Sequence, residues 1–220
     1  MSGDPILFSI VSRSLSVSFA AVLLASIFGL PLGGGLATLR FPGRNLVVVI
    51  VNTLMGLPPV VAGLVIFLLL SHSGPLGSLG LLFTPAAMVM AQTVLVMPIV
   101  AAITRQVIED LWRQYCDLYI LDGAGRLRSI CSLLWLGRFS LLTAVLAGLG
   151  RAAAEVGAIL IVGGNIAGAT RTMTTAIALE TSRGDFALAL GLGVILLGLT
   201  LAINAMAHLI GAAARRAAPS

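Results

Sequence analysis

Five apolar blocks dominate the chain, separated by shorter polar segments. Leu15–Leu39, Leu46–Leu70 and Phe83–Thr104 carry no charge, Phe139–Val162 carries only Arg151 and Glu155, and Phe186–Ala214 carries none, with His208 near its end. About 20 apolar residues in a helix cross the hydrocarbon core of a bilayer. Barrel strands would be shorter and would alternate polar with apolar positions. The pattern therefore predicts an all-α integral membrane protein with five transmembrane helices. They fall at about 15–39, 46–70, 83–106, 139–162 and 186–212, in one domain of residues 1–220, with a long polar loop at 107–138. The first block is too long for a secretory core and Met1–Ser14 lacks a basic cluster, so it reads as a retained span, with the opening stretch as a short interfacial helix.

Composition narrows the class. With 59% apolar and 10% charged residues and a mean hydropathy of +1.10, neither a soluble globule nor a disordered chain is tenable. The net charge of +5 is scattered between apolar blocks, so it indicates topology and no nucleic-acid partner. Arg40, Arg44, Arg105, Arg113, Arg126, Arg128, Arg138, Arg215 and Arg216 fall on one side of the five spans, against Arg13, Arg171 and Arg183 on the other. That bias places the N-terminus outside and the C-terminus, with loop 107–138, in the cytoplasm. There is no lysine, and a phosphate-binding loop requires one, so nucleotide-driven work would need another polypeptide. Cys116 and Cys131 read as small buried residues, and His72, with no second metal-type residue nearby, as solvated.

Candidate chemistry lies in three places. In loop 107–138, Ile108, Leu111, Trp112, Tyr115, Leu118 and Tyr119 share a helical face opposite Glu109, Asp110, Arg113, Gln114 and Asp117. Asp122-Gly123-Ala124-Gly125 then breaks the helix, and a second set follows with Leu127, Ile130 and Leu134 apolar and Arg126, Arg128 and Ser129 polar. Such a pair of helices can lie on lipid headgroups or dock to a cytosolic partner. Arg151 and Glu155, four apart inside a span, form either an internal ion pair or part of a path or gate. Pro58-Pro59 frees carbonyls in mid-span and predicts a kink, with similar physics at Pro98. Asn52, Thr53 and Gln92 either line a path or bond between helices. Gly29 with Gly33, and the stripe Gly184, Gly191, Gly198, Ala205 and Ala212, read as packing surfaces.

Asp117-Leu118-Tyr119, Gly123 and Leu133 follow the spacing of the cytoplasmic signature of ABC importer permeases, with Leu118-Tyr119 in place of two alanines and Trp135-Leu136 in place of Leu-Pro. Arg40-Phe41-Pro42-Gly43-Arg44, Leu57–Gly63, Gly123–Arg126, Ala154–Ala158 and Gly164–Thr172 resemble molybdate/tungstate-type permeases, and Met173–Thr181 is most like the tungstate branch. The resemblance implies a type I permease fold with a cytoplasmic coupling helix, working as a homodimer in a bacterial or archaeal cytoplasmic membrane. It implies cytoplasmic ATPase subunits that carry ATP and Mg, an extracytoplasmic oxyanion-binding protein, and contact with membrane lipid. No catalytic residue, metal or cofactor would then reside in this chain. The coupling contact would comprise Asp117, Asp122, Gly123, Ala124, Gly125, Arg126 and Arg128, the path or gate Pro58, Pro59, Arg151 and Glu155, and the binding-protein face Asn165 and Arg171 of an otherwise solvated loop 163–185. The cargo would be tungstate, with molybdate second. A bare Glu155 would repel an oxyanion, so its expected part is to hold Arg151 or to gate. An ion-coupled secondary transporter would need more midplane carboxylates and repeated halves, and a scaffold protein would need neither the intramembrane charges nor the prolines.

Overall fold

The computed structural model describes the backbone of residues 5–217 and the side chains of residues 6–205 and Leu209, all-helical apart from turns. Arg215, Arg216, His208 and Ala212 are therefore outside the described side chains. Helix α1 (Pro5–Thr38) passes through Pro31 without a break, so the opening stretch is the first part of the span and not a separate interfacial helix. Pro5 suits the start of a helix, where a missing N–H costs nothing.

The second block departs most from expectation. It is two helices, α2 (Arg44–Met55) and α3 (Pro59–Leu70), which meet at 103°. Pro58 is extended, with φ −61° and ψ 126°, and Pro59 occupies the first turn of α3. Two consecutive prolines remove two donors, and a residue before proline avoids helical ψ, so the chain turns instead of kinking. Each half is about 18 Å long, short of the hydrocarbon thickness.

The third block is longer than the 83–106 expected. Helix α4 (Pro85–Leu121) has 37 residues, about 55 Å, and continues through Pro98 into the stretch read as loop. After the turn at Asp122–Gly125 come α5 (Arg126–Leu136) and α6 (Arg138–Ala153), bent by 77° from each other. The block at 139–162 is also interrupted: α6 stops at Ala153 and α7 (Gly157–Gly163) resumes after Ala154–Val156. Helices α8 (Met173–Arg183) and α9 (Phe186–Ala217) complete the chain. Among the described residues three helices are long and apolar enough to cross a membrane, and the number rises to five if the bent pairs α2–α3 and α5–α6 are each one span.

Packing centres on α1 against α4. A Cβ on Gly33 would stand 2.4 Å from the Ala101 carbonyl oxygen, and one on Gly29 3.1 Å from Val100, so this glycine pair does permit close approach. Among the described residues, a Cβ on Gly184, Gly191 or Gly198 of the other small-residue stripe meets nothing within 4 Å. The apolar outer faces of α2, α3 and α9, with Leu46, Leu68, Leu190 and Leu197 exposed, suit contact with hydrocarbon or another apolar chain. Cys116 is half-buried and Cys131 exposed, which corrects the expectation of buried thiols. Leu118 and Leu127 are likewise exposed while Ser129 is buried, because α5 lays Ser129, Ile130 and Leu133 against α1 and α4.

Candidate functional site

The two interrupted blocks meet. A Cβ on Gly63 of α3 would lie 2.7 Å from the Ala158 Cα, and one on Gly157 would lie 3.0 Å from Val60 Cγ2. The break after Ala153 thus abuts the start of α3, immediately beyond Pro58-Pro59. Pro58 is exposed and Pro59 half-buried.

Arg151 lies in the last turn of α6, where a cation complements the helix dipole. Glu155 belongs to neither helix. Its Oε2 accepts from Arg151 Nη1 at 2.6 Å, its Oε1 accepts from the Ala158 N–H at 2.9 Å, and its carbonyl accepts from Thr174 Oγ1 at 2.8 Å. The Glu155 side chain is 2% exposed and that of Arg151 31%. The carboxylate is therefore sealed in and the guanidinium is the part that other groups can reach, so the pair can present donors to an anion without presenting its acid.

Gln92 of α4 closes the same knot. Its Nε2 donates to the Ala152 carbonyl at 2.8 Å, which selects the interhelical role over the path-lining one. Its Oε1 is buried with no partner among the described residues, beside a cavity of about 30 Å³ that Ser14, Ser18, Thr172 and Thr174 also line. That is room for roughly two waters. Asn52 and Thr53 are exposed on α2, and the Thr53 hydroxyl bonds back to Val49 within its own helix.

At the far end of α4 the turn is well formed. Asp122 caps the helix, Gly123 is left-handed at φ 64°, the Gly123 N–H donates to the Ile120 carbonyl and the Ala124 N–H to that of Tyr119. This paired pattern needs glycine at its left-handed position. Gly125 then starts α5. Asp117, Asp122, Arg126 and Arg128 are exposed, among exposed Leu118, Ile120, Leu121 and Leu127, while Ala124 is half-buried. Trp112 and Tyr119 stack behind them with ring centroids 6.2 Å apart. Nearby, Glu109 gathers three arginines: Arg105 at 2.5 Å, Arg44 at 3.6 Å and Arg113 at 3.8 Å. Arg44 also donates from Nε to the Leu36 carbonyl at 2.6 Å, so this cluster ties α1, α2 and α4. Arg105 and Arg113 lie four residues to either side of Glu109 on α4, whereas Arg44 comes from another stretch of chain, so the sequence placed Glu109 only on a polar face.

Segment 163–185 is not a solvated loop. Thr170, Thr172, Thr174 and Thr175 are all buried, and Thr172 and Thr175 form a capping box at the start of α8. Asn165, left-handed at φ 50°, accepts from Arg171 Nε at 3.3 Å and donates through Nδ2 to the Thr175 carbonyl at 3.3 Å. The two residues expected at a docking face are thus each other's partners, and both are half-buried.

Comparison with known proteins agrees with this architecture. Residues 25–216 match the family described as binding-protein-dependent transport system inner membrane component. A probable anion ABC transporter permease protein of Haloferax volcanii is 40% identical over 205 residues, covering 91% of this chain and 88% of the relative. The tungstate uptake system permease protein TupB of Peptoclostridium acidaminophilum is 37% identical over 208 residues, with 94% and 91% covered. That of Campylobacter jejuni is 36% identical over 207 residues, with 94% and 87% covered.

Proposed function

The chain belongs to the family of binding-protein-dependent transport system inner membrane components, and from that premise we propose that it is the permease of an ABC importer for an oxyanion, tungstate first and molybdate second. The likeness to tungstate permeases along nearly the whole chain carries this reading. It works as a homodimer, with the N-terminus outside and the turn at Asp122–Gly125 in the cytoplasm. Cytoplasmic ATPase subunits bind ATP and Mg, and an extracytoplasmic binding protein delivers the anion to a face that includes Asn165 and Arg171.

Helix α4 supplies the mechanical link. Asp117, Asp122, Gly123, Ala124, Gly125, Arg126 and Arg128 form the knob that enters the ATPase subunit. The same helix carries Gln92, some 45 Å away, bonded to the carbonyl of Ala152 beside the gate. A displacement of the knob moves a rod whose other end holds the break between α6 and α7. The gate is that break, with Arg151 and Glu155, together with the neighbouring break at Pro58-Pro59. The half-buried guanidinium of Arg151 suits a passing anion, and Glu155 keeps it oriented.

The test is ATP hydrolysis by the reconstituted complex of this permease, its ATPase and its binding protein. Tungstate-loaded binding protein should stimulate hydrolysis more than molybdate-loaded protein, and sulfate should not stimulate it. Anion flux through the permease alone, without the ATPase, would instead identify an ion-coupled secondary transporter.

A further inference from the structure

We propose that Thr174 is a positioning residue that passes movement of the threonine-rich segment to the Arg151–Glu155 pair. The inference rests on the reading of that pair as the gate. Glu155 lies between two helices, where its carbonyl has left the helical ladder, and a carbonyl buried there requires a donor. Among the described residues the donor is the Thr174 hydroxyl, at 2.8 Å. The hydroxyl holds the main chain of Glu155, while the Glu155 side chain is held by Arg151 and by the Ala158 N–H.

The bond ends a directed series. A threonine hydroxyl has one proton to donate, and that of Thr174 is committed to Glu155. At the 3.2 Å contact between the Thr172 and Thr174 hydroxyls, Thr172 must therefore be the donor. By the same count Thr175 is the donor at its 3.1 Å contact with the Thr172 hydroxyl, its proton shared with the Thr172 carbonyl at 3.2 Å, and the Thr175 carbonyl accepts from Asn165, which holds Arg171. The segment is also pinned to α1, since the Met173 N–H donates to Ser14 Oγ at 2.7 Å. Thus Asn165 and Arg171, at the face proposed to meet the binding protein, are joined to the main chain of Glu155 through the Thr175 carbonyl and the buried hydroxyls of Thr175, Thr172 and Thr174. A shift of this face therefore acts on Glu155 through the Thr174 bond.

The complete reconstituted complex tests this. The readout is the ratio of ATP hydrolysis with tungstate-loaded binding protein to hydrolysis without it. Thr174→Val keeps the shape and removes the donor, and Thr174→Ser keeps the donor. The expected result is a loss of about five-fold or more in that ratio for the valine variant, with the serine variant close to the original protein. Equal ratios in all three proteins would overturn the proposal. So would equal loss in both variants, which would indicate packing by the methyl group. If the valine variant does not assemble, hydrogen exchange in the unaltered complex decides. Docking of the binding protein should change protection at Thr172–Thr175 and at Ala158 together, and a change at only one of them counts against the link. Absence of stimulation in the unaltered complex would instead refute the importer reading beneath it.

Discussion

Removing the charge of Glu155 offers a quantitative test of the knot at the α6–α7 break. In Glu155→Gln the side-chain carbonyl can still accept from the Ala158 N–H, but the amide presents a donor to the Arg151 guanidinium, which is left unpaired within the apolar part of the molecule. Removing one partner of a fully buried pair costs about 3–5 kcal/mol. The Arg151 side chain is 31% exposed and so only partly buried, and a cost of about 2–3 kcal/mol is expected. Arg151→Gln should be worse, at about 3–5 kcal/mol, because it strands the carboxylate, which is only 2% exposed. The double variant removes both charges and should be more stable than Arg151→Gln alone, which requires a coupling in the cycle larger than the cost of Glu155→Gln itself, about 3 kcal/mol. The assay is the thermal midpoint of the purified permease in detergent, where Glu155→Gln should fall by about 5–10 °C. A double variant no more stable than Arg151→Gln, or an unchanged midpoint for Glu155→Gln, would refute the account of a mutually neutralising pair.

Three further outcomes follow from other parts of the molecule. Gly123→Ala must place a side chain at φ 64°, which costs about 1 kcal/mol, and should lower the stimulated-to-basal hydrolysis ratio of the complex while membrane insertion, measured by fractionation, is unchanged. Gly63→Val drives a side chain into the Ala158 main chain and should lower the thermal midpoint by the equivalent of about 1–3 kcal/mol, with Gly63→Ala less severe than valine. Glu109→Gln leaves Arg44, Arg105 and Arg113 without their shared acid and should destabilise by about 1 kcal/mol at low salt. Salt screens the remaining repulsion, so the gap in midpoint should narrow as ionic strength rises, and a gap independent of salt would argue against a role of charge.

What could be read from the sequence was local. The spacing of Arg151 and Glu155 specified their pairing, the residues Asp122–Gly125 specified a helix end, and Gly29 with Gly33 specified a close contact, because each depends on neighbours within a turn or two. Pro58-Pro59 signalled disruption but not its size, since whether a proline kinks or breaks a helix depends on what supports the freed carbonyls, and Pro31 and Pro98 are carried without a break. The extension of α4 to Leu121 was hidden by the charge at Arg105, which marks the end of apolar sequence and not the end of a helix. The buried threonines of 170–175 looked like loop residues because their hydroxyls are satisfied by one another and by Glu155, contacts that no spacing rule reveals. Their signal was the density of threonine itself: four in six residues, with capping chemistry at Thr172 and Thr175. The stripe from Gly184 to Gly198 had the spacing of a contact surface, yet none of the described residues covers it.

The central claim, that this chain forms the path of an ATP-driven oxyanion importer, is tested most directly by uptake into proteoliposomes. Vesicles holding the permease and its ATPase, with ATP inside and the tungstate-loaded binding protein outside, should accumulate tungstate. Omission of ATP, of the ATPase or of the binding protein should each abolish accumulation. Accumulation that persists without the ATPase, or none in the complete system while the binding protein retains tungstate, would contradict the account.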